Sequence, residues 1–111
     1  MPDEEGHPAV EEMELGAVLA ALADPLRRRV VRELAVAPDD TARTCVSFAL
    51  PVSKATVTHH FRTLREAGLV RQVDRGNSRM ATLRRQDVES RFPGLLGLLE
   101  AEERQERTRA R

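Results

Sequence analysis

The tightest constraint on this chain is a change of period at Gly68. Before it, Val57, Phe61 and Leu64 recur at i, i+4 and i+7, which gathers apolar groups on one side of a helix. Ser53 stands where an N-cap belongs, and Gly68 where a left-handed C-cap belongs. The spacing therefore predicts a helix over about residues 54–67. After Gly68 the pattern shortens. Val70-Arg71-Gln72-Val73 and Arg79–Leu83 suit short strands, and the turn residues Asp74-Arg75-Gly76-Asn77-Ser78 divide them. A basic helix leads straight into a β-hairpin with a basic tip.

The flanking segments are helical. Leu15, Val18, Leu19 and Leu22 mark a short amphipathic helix. Asp24 then offers a cap and Pro25 a preorganised first position for a second helix, faced by Leu26, Val30 and Leu34 and ended by Pro38-Asp39-Asp40. Residues 41–50 carry Val46, Phe48 and Leu50 and read either as a short helix or as an irregular apolar linker, closed by Pro51. Gln86 to Arg91 reads as a brief helix that stops at Pro93-Gly94. Leu95, Leu96, Leu98 and Leu99 open a last helix, supported by the i,i+4 pairs Glu100–Arg104 and Glu103–Arg107. The expected division is a disordered acidic lead over 1–11, one domain over 12–107 and a frayed tail over 108–111.

A chain of 111 residues holds one domain, and with three Phe, no Trp and no Tyr its core must rest on Leu, Val and Ala. A domain this small is often stabilised by association. No apolar run reaches the roughly 20 residues that span a bilayer, and the acidic start lacks the basic region of a secretory signal. The lone Cys45 cannot close an internal disulfide. The expected compartment is the cytoplasm, at the nucleoid, with no membrane partner.

Net charge is zero, but its distribution is uneven. Residues 1–24 hold seven acidic groups and no Lys or Arg, whereas residues 52–85 hold eight basic groups against Glu66 and Asp74. A protein meets its partner with one face, so the local excess counts for more than the sum. On a helical wheel Val57, Phe61 and Leu64 lie together. The opposite side carries Ala55, His59, Arg62 and Glu66, flanked by Thr56, Thr58, Thr63 and Arg65. Small residues near the helix start permit close approach to base edges in a major groove. Lys54, Arg62 and Arg65 suit phosphates, and Arg75 and Arg79 bracket a hairpin tip able to reach an adjacent minor groove.

At this point the chain resembles the ArsR/SmtB-type winged helix repressors. The run Ser53-Lys54-Ala55-Thr56-Val57-Thr58-His59-His60, continuing to Leu64-Arg65-Glu66-Ala67-Gly68-Leu69-Val70, looks like their recognition helix. Ala23-Asp24-Pro25-Leu26-Arg27 is similar to the opening of their second helix. The likeness covers roughly residues 12–100. It implies a mainly α winged helix-turn-helix fold, about five helices with a two-stranded wing. It also implies a homodimer on an inverted-repeat operator in double-stranded DNA, repressing transcription until an effector arrives. DNA contact carries over to Ser53, Lys54, Ala55, Thr56, Thr58 and His59. Arg62, Arg65, Arg75, Asn77 and Arg79 are added from helix and hairpin. The family's histidine matches His60, which the wheel sets beside the apolar stripe in a packing or hydrogen-bonding role. The first and last helices supply the expected dimer contact through Leu15, Val18, Leu19, Leu95, Leu96, Leu98 and Leu99.

Departures from the pattern are informative. Metal-sensing relatives carry a Cys-x-Cys pair where this chain has only Cys45, and an Asp/His set on the last helix where no His follows His60. Adjacent His59 and His60 point about 100° apart and cannot share a metal. No metal or other cofactor is expected. Cys45 is either a thiol sensor or a packed apolar residue. Phosphate loops, nucleophile signatures and zinc spacings are missing, so an enzyme is not expected. The alternative from another class is a winged helix that binds a protein partner and has no specific DNA target.

Overall fold

The computed structural model describes residues 2–110, and its architecture follows from three local decisions by the chain. The first is at Asp24. Its carboxylate accepts from the Leu26 and Arg27 amides at 2.8 and 3.1 Å, so helix α1 (Leu15–Ala23) ends and helix α2 (Pro25–Val36) begins within one residue. Burial opposes ionisation of Asp24, but the two amides together with the nearby His60 and Arg27 outweigh it and hold the carboxyl below the usual range.

The second decision is at Ser53, whose Oγ accepts from the Thr56 amide at 3.2 Å and starts helix α3 (Lys54–Ala67). The third is at Gly68, with φ of 93°. Its amide returns to the Arg65 carbonyl at 3.0 Å, and the Leu69 amide to Leu64 at 3.0 Å. A side chain here would be doubly excluded, since an added Cβ would lie 2.6 Å from Met13 Cγ.

Residues 41–50 contain a short helical turn, one of the two expected forms, but it is preceded by a strand that was not expected. Ala42–Thr44 is a strand, β1, and Cys45–Phe48 is one 3-10 turn. Strand β2 (Val70–Asp74) and strand β3 (Arg79–Leu83) form the expected hairpin, closed by an Arg75 amide to Ser78 carbonyl bond of 2.8 Å. β1 adds to the other side of β3, with Arg43 opposite Ala81, so the two-stranded wing hairpin is part of a three-stranded antiparallel sheet in the order β1-β3-β2. Helices α4 (Arg85–Arg91) and α5 (Leu95–Arg109) follow, and α5 lies along α2. It continues through two residues of the segment expected to fray, with Thr108 and Arg109 exposed.

The core is built from Leu, Val and Ala together with Met13, Phe48 and Phe61, and Leu64, Leu69, Val30 and Val31 are wholly buried. Phe48 meets Phe61 with ring centroids 5.8 Å apart, and the Arg43 guanidinium lies 3.8 Å over the Phe48 ring. These contacts seat the 3-10 turn against α3.

The acidic lead departs from its expected disorder. His7 and Pro8 are buried. The His7 ring takes the Gln72 amide of β2 at 3.0 Å on Nε2, and its Nδ1 faces the Asp3 carboxylate at 3.0 Å. Gln72 is on the strand that has no sheet neighbour on its outer side, so His7 satisfies an edge donor that water would otherwise reach. Arg84 donates to the Pro8 carbonyl at 2.7 Å and Arg91 to the Met13 carbonyl at 3.0 Å. Charged composition argued for a solvated lead, but these long-range bonds hold it.

Candidate nucleic-acid interface

Charge on this molecule divides by whether it is matched. Of the eight basic residues between 52 and 85, three are committed internally. Arg65 donates through Nη1 to the side-chain Oε1 of Gln72. Arg84 binds Pro8 and Asp87. Arg85 caps the end of α2 by donating to the Leu34 and Ala35 carbonyls at 3.1 Å and to Ala37 at 3.2 Å. The remaining five, Lys54, Arg62, Arg71, Arg75 and Arg79, are exposed. Among the described residues their side chains form no hydrogen bond or ion pair.

Four of those five belong to two adjoining features. Lys54 and Arg62 are on the outer side of α3, and Arg75 and Arg79 flank the hairpin turn with exposed Asn77 between them. Ala55, Thr58 and His59 are exposed on α3 as the wheel anticipates. Thr58 Oγ1 donates to the Lys54 carbonyl at 3.1 Å, a local bond that satisfies the hydroxyl within its own helix. Ser53 and Thr56 are tied to each other at 2.9 Å as part of the cap. Arg65 stands apart from the set predicted for DNA, because Gln72 draws its guanidinium back toward β2.

His60 is buried, as its place beside the apolar stripe requires. Arg27 holds it. The guanidinium donates to His60 Nδ1 at 3.2 Å and to the Ala21 carbonyl at 2.8 Å, which ties α3 to the end of α1. Burial lowers the His60 pKa from 6.5; Asp24 pulls the other way, while Arg27 and His59 add to the lowering. A ring that accepts from a guanidinium is neutral, with its proton on Nε2.

Comparison with known proteins gives this geometry a context. The Helix-turn-helix domain family matches residues 22–73. The HTH-type transcriptional regulator YceK of Bacillus subtilis (strain 168) is 30% identical over 82 residues, covering 74% of this chain and 82% of its own. The chain belongs to the ArsR-type winged helix-turn-helix transcriptional regulators. Two solved relatives agree. A possible transcriptional regulator for arsenical resistance is 31% identical at a TM-score of 0.55, over 66% of this chain and 74% of that one. An ArsR-like transcriptional regulator from Rhodococcus sp. RHA1 is 26% identical at 0.56, over 86% and 87%. An ArsR family regulator at 23% identity shares the fold at a TM-score of 0.61. These are DNA-binding transcriptional regulators, a non-enzymatic class.

Within this ArsR-type domain the remaining predicted sites sort clearly. Among the described residues no three His, Cys, Asp or Glu side chains converge on a point that could hold a metal ion. No helix of the described chain is long and apolar enough to cross a membrane. Cys45 is half-buried, and its thiol faces the Gln72 amide at 3.6 Å. Burial pushes the thiol up, against smaller opposing effects of Gln72 and Arg79, and so favours its protonated form. Its neighbour Val46 is exposed. Of the seven residues predicted for a dimer contact, Val18, Leu96 and Leu99 are buried in this domain's own core and Leu95 is half-buried. Leu15 and Leu19 on α1 stay 52% exposed, and Leu98 on α5 stays 71% exposed.

Proposed function

We propose that this ArsR-type regulator binds double-stranded DNA as a homodimer, on an inverted-repeat operator, and represses transcription until an effector releases it. The observation that carries the reading is the unmatched charge. Lys54 and Arg62 on α3, with Arg75 and Arg79 on the wing, are exposed cations with no internal partner among the described residues, whereas Arg65, Arg84 and Arg85 are held within the fold. An α-helix with Ala55, Thr58 and His59 outward fits a major groove. The cap residues Ser53 and Thr56 bring the start of α3, with its free backbone donors, toward a phosphate. Asn77 and the flanking arginines at the turn then meet the neighbouring phosphates or minor groove. In a dimer the two α3 helices enter successive major grooves about 34 Å apart. Leu15, Leu19 and Leu98 are the large apolar groups left uncovered on α1 and α5, both of which flank α2, and they are the natural surface for a second copy. Such a protein works at the nucleoid.

Fluorescence anisotropy tests the reading, using the DNA upstream of the protein's own gene and a scrambled duplex at two salt concentrations. Selective binding that weakens steeply with salt is expected. Equal, feeble binding to both duplexes would instead point to a winged helix that serves a protein partner. Sedimentation that gives a monomer at micromolar concentration removes the dimer.

A further inference from the structure

A cavity of about 490 Å³ lies between α3 and the wing, within the size range of small-molecule clefts. Its composition differs between rim and floor. The rim carries Lys54, Arg62 and Arg79, opposed only by Asp74. The floor holds Val57, the Cys45 thiol and the side chain of Gln72, which is 4% exposed.

Gln72 is a poorly served donor. Its carbonyl oxygen accepts from Arg65, but its amide nitrogen finds only the Cys45 sulfur, at 3.6 Å. A thiol sulfur is a weak acceptor, and a buried amide donor gains from a better one. The protonated thiol keeps the floor free of negative charge. A phosphodiester track needs cations on an open surface. It has no use for a recess lined with carbon and ending on an underused amide.

We propose that this recess is an effector site for a small organic anion with an apolar body, an aromatic carboxylate in the simplest case. The body lies against Val57 and the floor, an acceptor atom meets the Gln72 amide, and the anionic group is held by the rim cations. The same rim cations are those assigned above to DNA phosphates, so the ligand and DNA compete; this second half rests on the DNA-binding reading.

The two halves are tested separately. In the first arm the full chain, without DNA, is titrated with 2-naphthoate and with its neutral counterpart 2-naphthylmethanol, followed by amide chemical shifts. Expected are saturable shifts at Cys45, Gln72, Ser78 and Arg79, with the carboxylate about tenfold tighter than the alcohol, the effect of one charge-assisted contact. Arg79→Gln should weaken naphthoate several-fold without lowering the melting temperature. Equal binding of the alcohol, no saturable shifts, or shifts gathered at Leu15, Leu19 and Leu98 overturns the site. In the second arm, anisotropy on the selected duplex should show the apparent Kd for DNA rising in step with naphthoate occupancy. Occupancy that leaves the DNA affinity unchanged overturns the competition. A protein that binds no duplex at all fails the DNA reading, and the first arm still decides the site.

Discussion

Two arginine-rich regions of this molecule use the same side chain in opposite ways. Along the α2–α5 contact, Arg28 and Arg32 meet Glu102 at 2.9 Å, Arg32 meets Glu103 at 3.1 Å, and Glu103 also meets Arg107 at 2.8 Å. On α3 and the wing, Lys54, Arg62, Arg75 and Arg79 meet no carboxylate among the described residues. Burial explains the difference. Glu103 is buried and the Arg32 side chain is only 12% exposed, and a charge removed from water must be paired. The cations of α3 and the wing keep their hydration, so they can stand unmatched at little cost and remain available to a polyanion. A net charge of zero is therefore the sum of a neutralised interface, a basic face and an acidic lead.

The largest expected effect breaks the basic side of that comparison. Lys54→Ala, Arg62→Ala and Arg79→Ala combined should cost more than about 100-fold in DNA affinity at physiological salt. The slope of log K against log salt should flatten by about 0.9 for each phosphate that the variant no longer neutralises. The melting temperature should stay within about 2 °C of the parent, because these groups hold nothing within the fold. A slope that does not change would remove these residues from the interface. The matched side should respond the other way. Glu103→Ala leaves Arg32 with Glu102 as its one remaining carboxylate and should cost about 2 kcal/mol of stability by denaturant unfolding, the worth of a hydrogen bond between charged groups. The surviving folded protein should bind DNA as before. A destabilisation below about 0.5 kcal/mol would mean that water already solvates Arg32.

The same contrast separates what the sequence made legible from what it hid. Asp24, Ser53 and Gly68 act on amides and carbonyls within five residues of themselves, so the ends of α1, α2 and α3 could be read directly. The hairpin could be read because its turn is local. The strand Ala42–Thr44 could not, since three residues carry no period and its partner β3 is far along the chain. Arg62 and Arg65 are alike on a wheel. Only Gln72, on the next strand, commits one and leaves the other free. Leu96 and Leu99 are indistinguishable from Leu98 by composition, and only the packing of α5 on α2 buries those two and leaves Leu98 exposed. His7 carried no periodic signal at all, and its burial depends on the edge amide of Gln72.

That edge contact supplies a smaller test. His7→Ala leaves the Gln72 amide without its acceptor and frees the lead, which should cost about 1 kcal/mol, the worth of one buried hydrogen bond. Hydrogen exchange at the Gln72 amide should quicken more than at any other wing amide. An unchanged rate would mean that the lead contributes no protection to the strand edge.

The smallest expected effect concerns pH and distinguishes His60 from its exposed neighbour His59. Folding lowers the His60 pKa below 6.5, chiefly by burial, so between the folded value and 6.5 the unfolded chain binds more protons than the folded one. Stability must then rise with pH across that window. The neutral ring's contribution is complete above 6.5 and is lost as the solution is acidified toward the folded value. The structure gives a reason for the penalty: protonated Nδ1 would aim a proton at the Arg27 guanidinium, breaking the tie between α3 and the end of α1. His60→Gln, which keeps a neutral acceptor, should flatten the acid limb of the stability curve, read by denaturant unfolding from neutral pH downward. His59→Gln removes an exposed ring that is only the smallest cause of the lowering and should leave most of that limb in place. An acid limb unchanged in His60→Gln would assign it to the carboxylates of the lead and of α5 instead.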